Sequence, residues 1–171
     1  MYSSVRIASS RDTVAVSDLA ERTFRAAFET DTNSAVMDAY ARDAFSPARI
    51  ALELRAPDSQ FFLAFDADIP LGYAKLCAGE TPPCVPGPDP LELERIYVDP
   101  VAIGAGVGAA LMEACVKASR ERGARTLWLG VWEHNARAIA FYERWGFRTV
   151  GTKAFRLGSD DHTNQVMVKA L

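Results

Sequence analysis

One stretch constrains this chain more than any other. Leu91, Glu92, Leu93, Glu94, Arg95, Ile96, Tyr97 and Val98 run into Asp99-Pro100 and then into glycines at alternate positions, Gly104, Gly106 and Gly108. The alternation at the start and the β-formers at the end predict a strand. Pro100 stops it, because proline has no N–H to continue a ladder. Ala109 to Ala114 then opens a helix. A strand, a glycine turn and a helix together aim backbone N–H groups at a phosphate, aided by the positive end of the helix dipole. A Cβ in that turn would hold the phosphate oxygens away, hence the glycines. The spacing is neither the Gly-x-Gly-x-x-Gly of dinucleotide folds nor a P-loop, which needs Gly-Lys-Ser/Thr. The competing reading is a glycine-rich helix entry without a ligand.

The rest of the chain supplies context for that turn. Its 171 residues, 49% hydrophobic and 24% charged, fit one soluble globular domain spanning 1–171. A net charge of -3 argues against a nucleic-acid partner. No apolar run approaches the roughly 20 residues of a membrane span, and Met1 to Arg6 has no signal-peptide pattern. Cys77, Cys84 and Cys115 are odd in number and lack metal-ligand spacing, so no metal site is expected and a reducing cytoplasm is the expected compartment.

Val5 to Ala8 predicts a first strand. From Asp12, a candidate cap, Val16, Leu19, Ala20, Phe24, Ala27 and Phe28 recur at helical spacing. Val36, Met37, Tyr40, Ala41 and Phe45 form a second helical stripe, and Ser46-Pro47 starts a third helix ending near Arg55. Gln60–Phe65 and Ile69–Ala78 predict a hairpin. The segment 81–90 holds five prolines in ten residues and predicts a semi-rigid loop, either a plain connection or a rim over a substrate mouth. The glycine-turn helix should run to Arg122 with Cys115 in its core stripe, and Gly123 should end it. Thr126 to Trp132 predicts a strand buried on both faces, parallel to the one ending at Val98. A helix from Ala136 to Trp145 follows, then strands at Phe147–Leu157 and Asn164–Lys169 joined by a turn at 158–161.

Three ordered blocks carry a family resemblance: Leu91 to Pro100, the glycine turn, and Asn135-x-x-Ala138-x-x-Phe141-Tyr142-x-x-x-Gly146-Phe147. Together they closely resemble the GCN5-related N-acetyltransferases, over essentially the whole chain. Gly130 to Asn135, Ala138 to Tyr142 and Phe155-Arg156-Leu157-Gly158 further resemble the bacterial Pai-type spermidine/spermine N-acetyltransferases, although His162 and Asn164 stand where that group has Gln and Asp. The resemblance implies an α/β (α+β) fold with a mixed sheet of about seven strands and helices on both faces. The sheet would splay between the strands ending at Val98 and Trp132. Acetyl-CoA would be the cosubstrate. Ile96, Tyr97 and Val98 would offer their unpaired edge to the pantetheine amides, with one N–H for the oxyanion. The amides from Gly104 through Ala105, Gly106, Val107 and Gly108 to Ala109 would hold the pyrophosphate. Ile103 departs from the family, which has Gln or Arg there, and Ala105 replaces a common basic residue; Arg137 and Arg144 are the candidate replacement charges.

Tyr142 is the candidate general acid, because a phenol can protonate the departing thiolate. Asn135 shares its helix face, about two turns away, as an N-cap or a pantetheine contact. The resemblance implies Glu92 as the favoured base, since the family often places its base eleven residues before the position of Ile103, with Glu94 the substitute. The two share one side of their strand, roughly 7 Å apart. The expected acceptor is a small primary amine, with a polyamine the leading choice, gripped by Glu92, Glu94, Glu29, Asp31 and Asp38. A protein lysine or N-terminal amine is the alternative acceptor, and a non-catalytic acetyl-CoA-binding module the alternative role. Assembly is left open between monomer and homodimer.

Overall fold

The computed structural model describes residues 4–28 and 34–171. Seven strands form one mixed sheet in the order β1-β2-β3-β4-β5-β7-β6. They are β1 (Ser4–Ile7), β2 (Ser59–Asp66), β3 (Ile69–Cys77), β4 (Leu91–Val98), β5 (Thr126–Trp132), β6 (Arg148–Leu157) and β7 (Asp160–Ala170). Among the described residues five α-helices accompany them: α1 (Thr13–Phe28), α2 (Ser34–Ala44), α3 (Pro47–Arg55), α4 (Val107–Glu121) and α5 (Ala136–Arg144).

Strand periodicity sorts the core into two faces. Phe62, Ala74, Leu76, Leu91, Leu93, Leu127, Leu129 and Met167 pack with Leu111, Met112 and Cys115 of α4 and with Tyr142 of α5. Their sequence neighbours Phe61, Leu63 and Tyr73 point the other way, against Val16, Leu19, Phe24, Met37 and Ile50 of α1, α2 and α3. In the cluster around Trp128 on the β5–β7 half of that second face, no helix residue takes part among the described residues. The proline-rich segment covers it, with Val85 seated on Trp128, Val166 and Val168 and Cys84 packed beside them. A Cβ on Gly151 would stand 2.8 Å from Cys84 Sγ, which is why β6 carries glycine there. The segment is therefore a cover for the sheet and does not rim the cleft described below.

Several expected boundaries shift, for local reasons. Asp12 does not cap α1 directly. It closes a capping box around the 3-10 turn Ser10–Asp12 ahead of the helix, accepting from Ser9 N at 2.8 Å and from Arg6 at 2.7 and 2.9 Å. Ser46 and Pro47 start α3 as expected. β7 begins at Asp160, because Gly158 at φ 63 and Ser159 alone make the turn. Glu29, Asp31 and the chain start at Met1 lie outside the described residues.

The strand that organises the chain is irregular at one point. Leu76 pairs with Leu93 but Lys75 pairs with Arg95, so Glu94 is an extra residue on β4. Such a bulge bends its strand. On its other edge β4 pairs with β5 only at Leu91–Leu127 and Glu92–Trp128, and the parallel strands then part. β5 stays zipped to β7 along its whole length, from Thr126–Ala170 to Trp132–Asn164.

Candidate active site

The parting of β4 and β5 opens a cleft of about 1050 Å³. Leu93 and Arg95 to Val98 keep their pairing with β3, so their β5-facing backbone edge is left over, and a ligand chain can pair with it. Of the residues expected to hold the cofactor, Ile96, Tyr97, Val98, Ile103, Gly104, Gly106, Gly108, Ala109, Asn135, Arg137 and Tyr142 all line this cleft, as do Glu92 and Glu94. Ala105 and Val107 do not. The Ala105 N–H donates to Ala102 O at 3.2 Å, so that amide is engaged. The Val107 side chain is buried in the core and leaves only its backbone to the turn.

At the glycine turn, Gly104 and Gly106 have φ near +88 and +86, a region that costs other residues about 1–2 kcal/mol. Gly106 is the N-cap of α4 and supplies no side-chain cap. The first bond of helical register runs from Ala110 N to Gly106 O at 3.1 Å. The N–H groups of Val107, Gly108 and Ala109 therefore face outward without an intrahelical acceptor, at the positive end of a 15-residue helix. The protein leaves room for an anion there. Nothing lies within 4 Å of a Cβ built on Gly104, and the nearest neighbours of one on Gly108, Val98 and Phe141, stand at ordinary contact distances. Ile103 is 43% exposed at the cleft and contributes no charge. Arg137 and Arg144, both exposed and free of ion pairs among the described residues, line the same cleft and can supply it.

Asn135 caps α5, its Oδ1 accepting from Ala138 N at 3.1 Å. That capping role leaves its amide N–H₂ for other partners. Tyr142 sits on the buried face of α5, its ring against Phe141 and Phe147. Burial, with smaller contributions from Tyr97 and Cys115, holds its phenol well above the usual tyrosine range, so it stays protonated. Cys115 is fully buried and outside the cleft, a core thiol as its helical position predicts.

Glu92 and Glu94 do share a side. Cys77 Sγ lies 3.7 Å from Glu92 Oε2 and 3.2 Å from Glu94 Oε2. Their environments differ. Burial raises the Glu92 carboxyl above its ordinary value, and the ammonium of Lys153, a loose 3.7 Å away, only partly opposes this. Burial acts on Glu94 too, but Arg95 and Lys75 outweigh it and hold that carboxyl below its ordinary value. Glu94 accepts from Lys75 at 2.7 Å, and both cations also reach Glu53, at 3.2 and 2.8 Å, in one closed ion cluster. Of the two, Glu92 is the carboxylate suited to take up a proton.

The far end of the cleft is aromatic. Phe24 and Tyr40 stack at 5.0 Å, and Phe28, Trp132, Phe155 and His162 complete the wall. His162 Nε2 and Asn164 Oδ1 are buried there with no hydrogen-bond partner among the described residues. Asp38 is not part of this wall, being paired with Arg25. Sequence reasoning did not single out Lys153. It sits on the last hairpin two residues before the Phe155-Arg156-Leu157-Gly158 block, and the available signal was the period of two that puts it on the same side of β6 as Phe155 and Leu157.

The chain is similar to known proteins in sequence and in fold. The acetyltransferase (GNAT) family profile matches residues 14–147. An uncharacterised N-acetyltransferase from the pepI 3′ region of Lactobacillus delbrueckii subsp. lactis is 32% identical over 154 residues, 90% of this chain and 88% of that one. The [ribosomal protein bS18]-alanine N-acetyltransferase of Escherichia coli is 36% identical over 83 residues, 48% of this chain and 56% of its own. The PaiA N-acetyltransferase of Thermoplasma acidophilum, solved in complex with coenzyme A, has the same fold with a TM-score of 0.81 at 20% identity, covering 99% of this chain and 100% of that one. The family profile and the 32%-identical relative, each covering most of the chain, show that it belongs to the GNAT family of acetyl-CoA-dependent N-acetyltransferases.

Proposed function

We propose that the enzyme acetylates a small primary amine by direct attack, with Glu92 as base, Tyr142 as acid, and a polyamine such as spermidine as the acceptor. The observation that carries this reading is the meeting, in one cleft, of a carboxylate raised by burial, a protonated phenol and the outward amides of α4. The acceptor arrives as an ammonium and must lose a proton before its lone pair is free. A carboxylate with a raised pKa is a better match for that proton than an ordinary one. The nitrogen then attacks the thioester carbonyl, the C–N bond forms, the C–S bond breaks, Tyr142 gives its proton to sulfur, and the second proton that the nitrogen sheds on becoming an amide restores the phenol through solvent. A backbone N–H from the open edge of β4 stabilises the oxyanion. The pyrophosphate lies on the amides of Val107, Gly108 and Ala109, with Arg137 and Arg144 as its side-chain cations.

The polyamine reading rests on Glu92 and on the rings of Phe28, Tyr40, Trp132 and Phe155, whose faces attract ammonium groups. Glu94 adds less than its charge suggests, because Lys75 and Arg95 already neutralise it. A second reading, an N-terminal or lysine amine of a protein, is favoured by the identity to the bS18-alanine enzyme. Thiol release from acetyl-CoA separates the two, assayed with spermidine, spermine, alanine- and lysine-containing peptides and a neutral amine at low and moderate salt. Spermidine turnover that weakens with salt is expected, since partly exposed charge pairs are screened within about 10 Å at 0.1 M. Faster turnover of a peptide, or spermidine kinetics indifferent to salt, would rule the polyamine out.

A further inference from the structure

Lys153 belongs to β6 and Glu92 to β4, with β5 and β7 between them in the sheet, yet their side chains meet. Lys153 leaves β6 beside Asn164, its register partner on β7, and passes over Gly130 of β5. Its Cε stands 2.8 Å from where a Cβ on residue 130 would be. Gly130 has no left-handed φ to account for it; the passage of the lysine does. The Nζ ends 3.7 Å from Glu92 Oε1 and 4.9 Å from the Trp128 ring. No other lysine among the described residues lines the cleft. Lys75 is buried between Glu53 and Glu94, and Lys117 is a surface residue of α4, 76% exposed.

A primary ammonium held against the base of the reaction occupies the position a free acceptor must take. On the reading that Glu92 is that base, we propose that Lys153 is itself an acceptor: with acetyl-CoA bound and no free amine competing, the enzyme acetylates its own Lys153. Glu92 takes a proton from the Lys153 ammonium, and the freed nitrogen attacks the thioester carbonyl. The N–C bond forms as the C–S bond breaks, the sulfur leaves with the proton of Tyr142, and the second proton that the nitrogen sheds on becoming an amide restores the phenol through solvent, giving Nε-acetyllysine and free CoA. The amide has no charge to pair with Glu92 and fills the acceptor end of the cleft, so the step switches off turnover of other amines.

The test is to incubate the full chain with acetyl-CoA alone and follow intact mass and peptide maps. The expected product carries one acetyl group on Lys153, formed ahead of the far more exposed Lys117. Its rate should be independent of protein concentration, roughly 10²-fold lower in Glu92→Gln, and suppressed by added spermidine. Preincubated enzyme should lose amine turnover in step with the modification, while Lys153→Arg keeps its own rate through the same treatment. An unmodified Lys153 overturns the proposal, as does labelling that favours Lys117 or is as fast in Glu92→Gln, the pattern of plain chemical acetylation. The amine panel is run on the same preparation. Turnover of an added amine beside an unmodified Lys153 sinks this inference alone, whereas no turnover and no modification sinks the proposed function with it.

Discussion

Two glutamates of one type on one strand carry different chemistry, and the difference lies in their neighbours. Glu92 faces one loosely held lysine and has a raised carboxyl; Glu94 is locked among Lys75, Arg95 and Cys77 and has a lowered one. A base must be ionised to work, so activity should be lost as pH falls through the raised Glu92 value, at a higher pH than for an ordinary carboxylate. Rate profiles should show Glu92→Gln flattening that acid limb and Glu94→Gln leaving it in place. Glu94→Gln should instead appear in urea melts, destabilised by about 2 kcal/mol, because Lys75 stays buried with one carboxylate fewer. Tyr142→Phe removes a proton donor and little bulk. Steady-state kinetics should give kcat lower by roughly 10–10⁴-fold with the KM for acetyl-CoA near its original value, as expected for a group that acts mainly in the transition state. Unchanged turnover would return Tyr142 to the core.

At the scale of elements, the start of α4 is a binding device and the start of α1 a structural one. Gly106→Glu would place a carboxylate among the outward amides, and calorimetry should find CoA binding abolished. Gly106→Ala is the control: at φ 86 it costs about 1–2 kcal/mol of strain but adds no charge, so some affinity should survive. The entry to α1 depends on Asp12, whose carboxyl the bonds from Arg6 hold at about 2, with Ser9 assisting. Its folded value lies below the ordinary 3.8, so the pair adds stability above that pH and loses it as pH falls toward about 2. Asp12→Asn should therefore cost up to about 2 kcal/mol at neutral pH, less some screening at the half-exposed Arg6. The gap between variant and parent melts should narrow in acid. A constant gap would mean that the capping bonds, and not the charge, carry the effect.

Across the whole molecule, the cleft and the proline-rich cover are separate. The cleft lies between β4, the glycine turn, α5, the aromatic wall and the last hairpin, and residues 79–90 touch none of it. Gly151→Val should drive a side chain into Cys84, lift Val85 from Trp128 and destabilise the fold by about 1–3 kcal/mol in thermal melts. CoA affinity at temperatures where the variant is folded should not change. A loss of affinity in the folded variant would show that the cover and the cleft are coupled.

Much of this was legible in the chain itself, because it is local. Helix stripes such as Val16, Leu19, Ala20 and Phe24, the Ser46-Pro47 start, the glycine turn and the Asn135 cap depend on neighbours a few residues away. Sequence also predicted the two parallel strands, since a proline stop and a crossover helix are written into consecutive residues, while their parting was implied by the family resemblance. The tertiary structure decided what depends on distant ones. Only the packed sheet shows that Glu94 is a bulge residue captured by Lys75 and Arg95, that the Ala105 amide is engaged by Ala102, and that Asp38 answers Arg25 outside the cleft. The meeting of Lys153 with Glu92 is the plainest case. It requires the strand order β4-β5-β7-β6 and a missing Cβ on Gly130, and no spacing along the chain encodes a contact made across two intervening strands.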